Sequence, residues 1–421
     1  MLAGSIIFYA SGEPVYVFLL IGMTLLNHIS GWLIWQEGRR SRKLCFVLII
    51  VVNVSVLALW KLLQLSGQIS VLPLGISFYL FKMISYQADL YRGRIEKKPV
   101  FYRTALYFTL FTQVTSGPVM KYQEGGFSGE KEYSRKKIVR NLEEGLQYFI
   151  IGLSMKVLLA DRLAILWNDI LTIGFISIST PLAWLGLIGY ALQLYFDFWG
   201  YSLMASGLGV MLGYDFILNF NHPYSAHSIS EFYRRWHVTL GRWFRDYVYI
   251  PLGGNRVSGR RLLLNLLLVW LLTGIWHGNG INYLLWGLSL GLFIILEKVW
   301  LGQYLNKWRP AGRIYTILVI LLTWAVFAIP DIQQLGVFFS RLFPFFTPVH
   351  ETVNHKDILN YLQTYWKLLA VGILLCVPGV YGWYEKHKKN MLVIAGLLIL
   401  FWYGIYCLVN AGSNPFLYFS Y

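Results

Sequence analysis

Residues 262–279 read LLLNLLLVWLLTGIWHGN. No acidic or strongly basic side chain interrupts the run. As an α-helix it is about 27 Å long, close to the ~30 Å hydrocarbon core of a bilayer. It reads as a membrane span with His277 near its far end. Immediately before it, residues 221–261 read NHPYSAHSISEFYRRWHVTLGRWFRDYVYIPLGGNRVSGRR, dense in arginine and aromatics. The remaining chain is expected to be scaffold around these two features.

The composition agrees with that start. The 421 residues are 57% hydrophobic and 13% charged, against about 25% charged in soluble domains. Several apolar runs are long enough to cross a bilayer as helices, and none alternates apolar and polar as barrel strands do. The fold class is all-α and polytopic. A net charge of +16 does not indicate a nucleic-acid partner, because the basic residues sit in short clusters between apolar runs, as in cytosolic loops of membrane proteins. Cys45, Cys376 and Cys407 lie far apart inside apolar runs, matching no metal or disulfide spacing. Gly12, Glu13 and Pro14 interrupt the apolar start and no A-x-A site follows, so no cleavable signal is expected.

The spans alternate consistently. Residues 15–35 end in EGRRSRK (37–43), a cytosolic cluster; 44–64 lead outward, and 71–91 return to RGRIEKK (92–98). Residues 99–120, PVFYRTALYFTLFTQVTSGPVM, are apolar with basic clusters on both flanks. They cannot cross simply, and read as a re-entrant or in-plane piece broken at Gly117-Pro118. Such backbone is tolerated only where protein or a water-filled cavity surrounds it. Crossings follow near 146–168, 181–202, 262–279, 281–297, 314–330, 358–382 and 391–410, with an outer connection at 331–357 holding His350 and His355. Lys156 and Asp161, five apart, do not share a clean helical face and are not read as a pair. The count is about nine or ten crossings plus one or two re-entrant pieces. No repeat or separate soluble domain is visible, so residues 1–421 read as one membrane-embedded domain.

Ser228 and Glu231 have capping-box spacing, and Pro251 with Gly253-Gly254 marks a helix end. One helix is expected between them, with Phe232, Trp236, Leu240, Trp243 and Tyr247 on an apolar face. Its arginines allow two readings. An interfacial helix would rest them on lipid phosphates. A cytosolic vestibule would use them to hold an anionic donor, which suits the bidentate guanidinium fork, and the helix N-terminus could add anion affinity. His237 is either bonded to a backbone carbonyl or part of that site, and Gly241 leaves room for a ligand.

His277 lies about 15 residues into its span, roughly 22 Å along the helix. An ionisable side chain inside a membrane marks a functional site by default, and imidazole suits proton transfer at neutral pH. The alternative is a helix-to-helix hydrogen bond through Thr273 or a carbonyl.

The run SISEFYRRWHVTLGRWFRDYVYIPLGGNR (228–256), followed by LTGIWHGNGINYLLWG (272–287), resembles the membrane-bound O-acyltransferase family, in its bacterial alginate O-acetyltransferase and teichoic-acid D-alanyl transferase branch. LPLGISFYLFKMISYQADLYRG (72–93), FTQVTSGPVMKY (111–122), GLSMKVLLADRLA (152–164), YFDFWGY (195–201) and the tail NPFLYFSY are also similar. The motif core runs over 72–300. The resemblance implies about 9–11 transmembrane helices with re-entrant or in-plane helices around a central tunnel.

It also implies an activity. A cytosolic acyl thioester, acetyl-CoA or an acyl carrier protein, would give its acyl group to a hydroxyl on an extracytoplasmic polysaccharide. An extracytoplasmic acyltransferase partner is expected, as are placement in the plasma or inner membrane, no tightly bound cofactor and no metal. His277 and His237 match the family's two catalytic positions. Arg234, Arg235, Trp236, Arg242 and Arg245 become donor-binding candidates. Asp197, Tyr201, Thr273, Trp276 and Asn279 become tunnel-lining candidates. The donor end and the chemistry at His277 are expected at two ends of a path.

Three positions depart from the branch's pattern. Leu290 stands where a WGxxHG run has histidine, and Trp199 and Leu203 stand where DFSGYSDMA has serine and aspartate. D-alanyl transfer to teichoic acid remains an alternative. So does a transporter with a buried polar path, although paired broken repeats are not visible.

Overall fold

The computed structural model describes residues 1–36, 41–115, 117–127, 134–345, 353 and 356–411. His350, His355 and the C-terminal NPFLYFSY lie outside the described residues. Among the described residues every regular element is helical, the arrangement that satisfies backbone N–H and C=O groups in lipid. The chain divides into two compact units. One comprises Met1–Phe149, Ala205–Leu218 and Arg242–Pro251; the other comprises Ile150–Met204, Asn219–Gly241 and Leu252–Tyr421.

The chain begins with α1 (Leu2–Gly12), α2 (Val17–Trp35), α3 (Arg42–Leu65), α4 (Ile76–Tyr91), α5 (Phe101–Thr109), α6 (Phe111–Val114) and α7 (Arg135–Ser154). In the first unit α2, α3 and α4 pack on one another, and α5 and α6 lie against α1 and α4. Polar side chains join this apolar bundle. Asn27 and Asn53 exchange amide hydrogen bonds of 3.0 and 2.9 Å, and Gln87 donates to the Asn27 carbonyl at 2.7 Å. Such bonds act as glue where hydrophobic burial does not distinguish helix from lipid. Lys82, fully buried, donates to Gln113 Oε1 at 3.0 Å.

The doubly flanked segment at 99–120 does not form one span. It becomes α5 and α6, then irregular backbone buried by protein at Val119 and Met120. The helix breaks at Leu110, earlier than the expected Gly117-Pro118, because Leu110 leaves helical geometry at φ −52°, ψ 116°. Gly75 permits the close approach of this piece. It caps α4 with φ 68°, and a Cβ there would stand 1.8 Å from the Val114 carbonyl oxygen.

The chain continues with α8 (Asp161–Ile173), α9 (Thr180–Met211), α10 (Ile229–Arg235), α11 (Val238–Phe244), α12 (Gly259–His277), α13 (Ile281–Leu296), α14 (Gly302–Lys307), α15 (Arg309–Ala328), α16 (Ile332–Leu342), α17 (Asp357–Leu375), α18 (Pro378–His387) and α19 (Met391–Ala411). In the second unit α12 and α13 form a tight hairpin, and α13 packs on α15. The hairpin closes on glycines: a Cβ at Gly274 would stand 2.5 Å from the Tyr283 carbonyl oxygen, and one at Gly287 would stand 2.5 Å from that of Trp270.

Seven helices among the described residues are long and apolar enough to cross a membrane: α2, α3, α12, α13 continued through α14, α15, α17 and most of α19. That is fewer than the nine to eleven expected. The segments expected to cross near 71–91, 146–168 and 181–202 are helical as α4, α7–α8 and α9. They carry Lys82, Lys156, Asp161 and Asp197, which lower their apolar character.

One of those segments corrects the sequence reading. Residues Met155–Ala160 form a π-helix between α7 and α8. Its i→i+5 bonding brings residues five apart onto one side, so Lys156 pairs with Asp161 after all. Lys156 also reaches Asp197 on α9 at 2.9 Å. The side chains of Lys156 and Asp197 are 7% and 3% exposed, so this is a buried ionic triad.

Candidate active site

The arginine-rich stretch was expected to be one helix. It is two, α10 and α11, followed by a π-turn at Arg245–Tyr249. The break falls at His237, whose φ of 44° is left-handed. A non-glycine residue there is strained and interrupts helical hydrogen bonding. The turn is held from the preceding segment. Val238 N–H donates to the Asn219 carbonyl at 2.8 Å, and Asn221 N–H donates to the Arg235 carbonyl at 2.9 Å.

Ser228 caps α10 as the spacing predicted, accepting from Glu231 N–H at 3.0 Å. The Glu231 carboxylate accepts from His227 N–H at 2.9 Å and pairs with Arg235. The expected anion affinity of the α10 N-terminus is already used. Glu297 accepts from Ser230 N–H at 3.0 Å, from Ser230 Oγ at 2.7 Å and from Ile229 N–H. An internal carboxylate holds the place an external anion would take.

The five donor-binding candidates separate. Arg235 is half-buried and bonded to Ser225 Oγ at 2.8 Å and to Glu231. Trp236 is buried, 5.1 Å from the Trp324 ring and 5.1 Å from Phe220. Arg234 is exposed. These three belong to the second unit. Arg242 and Arg245 belong to the first and are exposed, with Arg245 Nε 2.7 Å from Asp246. Asp246 also pairs with Lys121. Burial alone would push the Asp246 carboxyl up, but the Arg245 and Lys121 hydrogen bonds outweigh it and hold it below the ordinary range.

The two candidate catalytic histidines are closer than the sequence suggested. His277 ends α12 and is half-buried. Its ring lies 4.7 Å from Trp276, 4.9 Å from Trp286 and 5.5 Å from Phe327. The Trp276 ring is also 6.3 Å from His237. A single indole separates the two imidazoles, so they border one cluster rather than marking distant ends of a path. The left-handed turn is the cause, because it carries His237 into the interior, where only 4% of it is exposed.

His237 stands edge-on to Phe198 at 4.7 Å. Burial pushes its imidazole down to about 3, so it is uncharged at neutral pH. The unfolded chain, with an ordinary value near 6.5, binds the proton more readily between these two values. This contribution to stability is therefore complete above about 6.5 and is lost as pH falls toward 3. Thermal unfolding of the purified protein should move to lower temperature more steeply between pH 7 and 4 than that of His237→Gln. Equal slopes would contradict the neutral buried imidazole.

Of the tunnel-lining candidates, Trp276 touches both histidines. Thr273 is buried and donates to the Val269 carbonyl at 2.8 Å, one turn back on its own helix. Asp197 is committed to Lys156. Tyr201 and Asn279 are half-buried. Among the three departures, Leu290 is fully buried, one turn beyond Trp286 on α13. Leu203 is also buried. Trp199 stacks on Tyr195 at 5.1 Å and stands edge-on to His222 at 5.7 Å.

Sequence reasoning missed Asn219, His222 and Glu297. His222 is buried with φ 47°, the second left-handed non-glycine residue among those described. Burial and the nearby Arg235 charge lower its pKa. Its place directly before Pro223 was the only local signal of an irregular turn.

Seven helices of bilayer length among the described residues define a multi-pass membrane protein, with two histidines bordering one aromatic cluster. The comparisons give its family. The sequence profile of the membrane-bound O-acyltransferase family matches residues 17–339. Over 414 residues the chain is 35% identical to the probable alginate O-acetylase of Pseudomonas aeruginosa, covering 93% of this chain and 78% of that one. It is 28% identical to the peptidoglycan O-acetyltransferase of Helicobacter pylori over 100% of this chain and 91% of the other. It is 29% identical to the teichoic acid D-alanyltransferase of Bacillus subtilis over 60% and 65%. The chain belongs to the membrane-bound O-acyltransferase family and is an O-acyltransferase.

Proposed function

We propose that the enzyme moves an acetyl group from a cytosolic thioester, acetyl-CoA or an acyl carrier protein, to a hydroxyl of an extracytoplasmic polysaccharide or to a partner transferase. It would do so in the plasma or inner membrane. The observation that carries this reading is the cluster around Trp276, whose indole stands between two imidazoles among aromatic rings. His277 acts as general base. It takes the proton of the acceptor hydroxyl as that oxygen attacks the thioester carbonyl, and the thiolate leaves carrying the electron pair of the cleaved C–S bond. His237 orients the acyl-thioester arm. The apolar surround excludes water that would hydrolyse the thioester. Arg234 and Arg242, both exposed, suit a phosphorylated donor, whereas Arg245 is already paired with Asp246.

The similarity to alginate O-acetylases covers more of the chain, at higher identity, than that to D-alanyltransferases, and it favours acetyl. The full chain in nanodiscs should label an acceptor oligosaccharide from acetyl-CoA or an acetylated carrier protein. It should not do so from a D-alanyl carrier protein. Labelling from the D-alanyl donor alone would replace this reading with D-alanyl transfer.

A further inference from the structure

Asn219 lies in the extended segment before α10, buried and far from the α12 histidine in sequence. Its side-chain oxygen accepts from Thr239 N–H at 3.3 Å and from Thr239 Oγ1 at 2.9 Å, and it lies 3.1 Å from His237 Nδ1. The orientation of this amide follows from chemistry. A backbone N–H only donates, so the atom facing Thr239 N must be oxygen rather than the NH2 group. An oxygen at that place can only accept. His237 Nδ1 must therefore carry the ring proton, which leaves Nε2 as the nitrogen with the lone pair.

We infer that Asn219 is a positioning residue of the acyl transfer: it fixes His237 in the Nδ1–H tautomer and in its left-handed turn, so that Nε2 can only accept a hydrogen bond. This rests on the proposed role of His237 in the reaction. Three features support it. The Asn219 carbonyl also holds the turn, through Val238 N–H at 2.8 Å. Among the described residues the buried Asn219 Nδ2 group has no hydrogen-bond partner, so the amide's function at this place lies in its oxygen. An aspartate would supply the same acceptor but put a negative charge beside the imidazole, favouring its protonated form. Asparagine supplies the oxygen and keeps the ring neutral. The consequence is specific. His237 accepts from an N–H, O–H or S–H of donor or acceptor, and does not itself donate to the developing oxyanion.

The test is a double-mutant cycle on the full chain in nanodiscs, with labelled acetyl thioester and acceptor oligosaccharide. Asn219→Leu should lower kcat by about 10–100-fold with KM nearly unchanged. Asn219→Asp, which keeps the acceptor oxygen but favours the protonated ring, should retain more of kcat than Asn219→Leu, and the more so as pH rises and the ring becomes neutral. In the His237→Ala background Asn219→Leu should change kcat less than about twofold, because its effect passes through the missing ring. An equal loss in both backgrounds would overturn the inference and leave the role of His237 standing. A His237→Ala variant as fast as the wild type would overturn both. Thermal unfolding in the same nanodiscs separates a misfolded Asn219→Leu protein from a folded slow one. If the leucine variant does not fold, the cycle is run with Asn219→Ser, whose shorter side chain withdraws the oxygen from Nδ1, and it is judged by the same two outcomes.

Discussion

Replacing His277 by alanine is expected to lower turnover by ~10²–10⁴-fold, the contribution of a positioned general base, with the donor KM nearly unchanged. The imidazole is held by rings on three sides, Trp276, Trp286 and Phe327, which fix its plane. Removing it leaves the aromatic surround and the α12–α13 glycine contacts in place, so the variant should fold. Initial rates of ester formation measured alongside thermal unfolding separate the two effects. A rate within a few fold of wild type would place the proton acceptor elsewhere, with His237 the first candidate.

Lys156→Met is expected to produce the largest loss of stability. Lys156 is the cation between Asp161 and Asp197, and all three side chains are largely buried. Deleting it leaves both carboxylates without the lysine that pairs them. Breaking a buried pair in this way costs about 3–5 kcal/mol, because an unpaired charge in low dielectric is far less stable than one in water. Unfolding followed in detergent should show a large drop in Tm and in the yield of folded protein. Adding Asp161→Asn and Asp197→Asn to the methionine variant should recover much of the loss. A Tm close to wild type for Lys156→Met alone would mean that the triad contributes little.

What was readable in the chain depended on the range of the interaction. Bilayer-length apolar runs announce themselves, and each span expected from hydropathy is helical, although that near 358–382 ends at Leu375 and restarts as α18 at Pro378. The Ser228 cap was legible for the same reason, since its partner is three residues away. The break at His237 was not. A 3.6-residue period assumes unbroken right-handed geometry, and nothing in RRWHVTL marks a residue whose φ turns positive under the hold of Asn219, eighteen positions earlier. Reading through the break put His237 on a cytosolic helix face and made it seem distant from His277. Lys156 and Asp161 failed for a related reason, because a π-turn changes which residues share a side. The Glu297 carboxylate on the α10 amides is 68 positions from Ile229; only tertiary structure places it there.

The triad and the histidine cluster therefore answer different questions. The first concerns how buried charge is tolerated between helices; the second concerns acyl transfer. Variants at Lys156 should change stability first, and variants at His277 should change rate first.

The most direct measurement is the acyl-ester content of the extracytoplasmic polysaccharide, determined by mass analysis in cells that lack the gene and carry it back as wild type or His277→Ala. Alkali-labile acetyl groups should return with the wild type and stay absent with His277→Ala at equal protein level. Equal acetylation in the two complemented strains would contradict the assignment of the chemistry to this site.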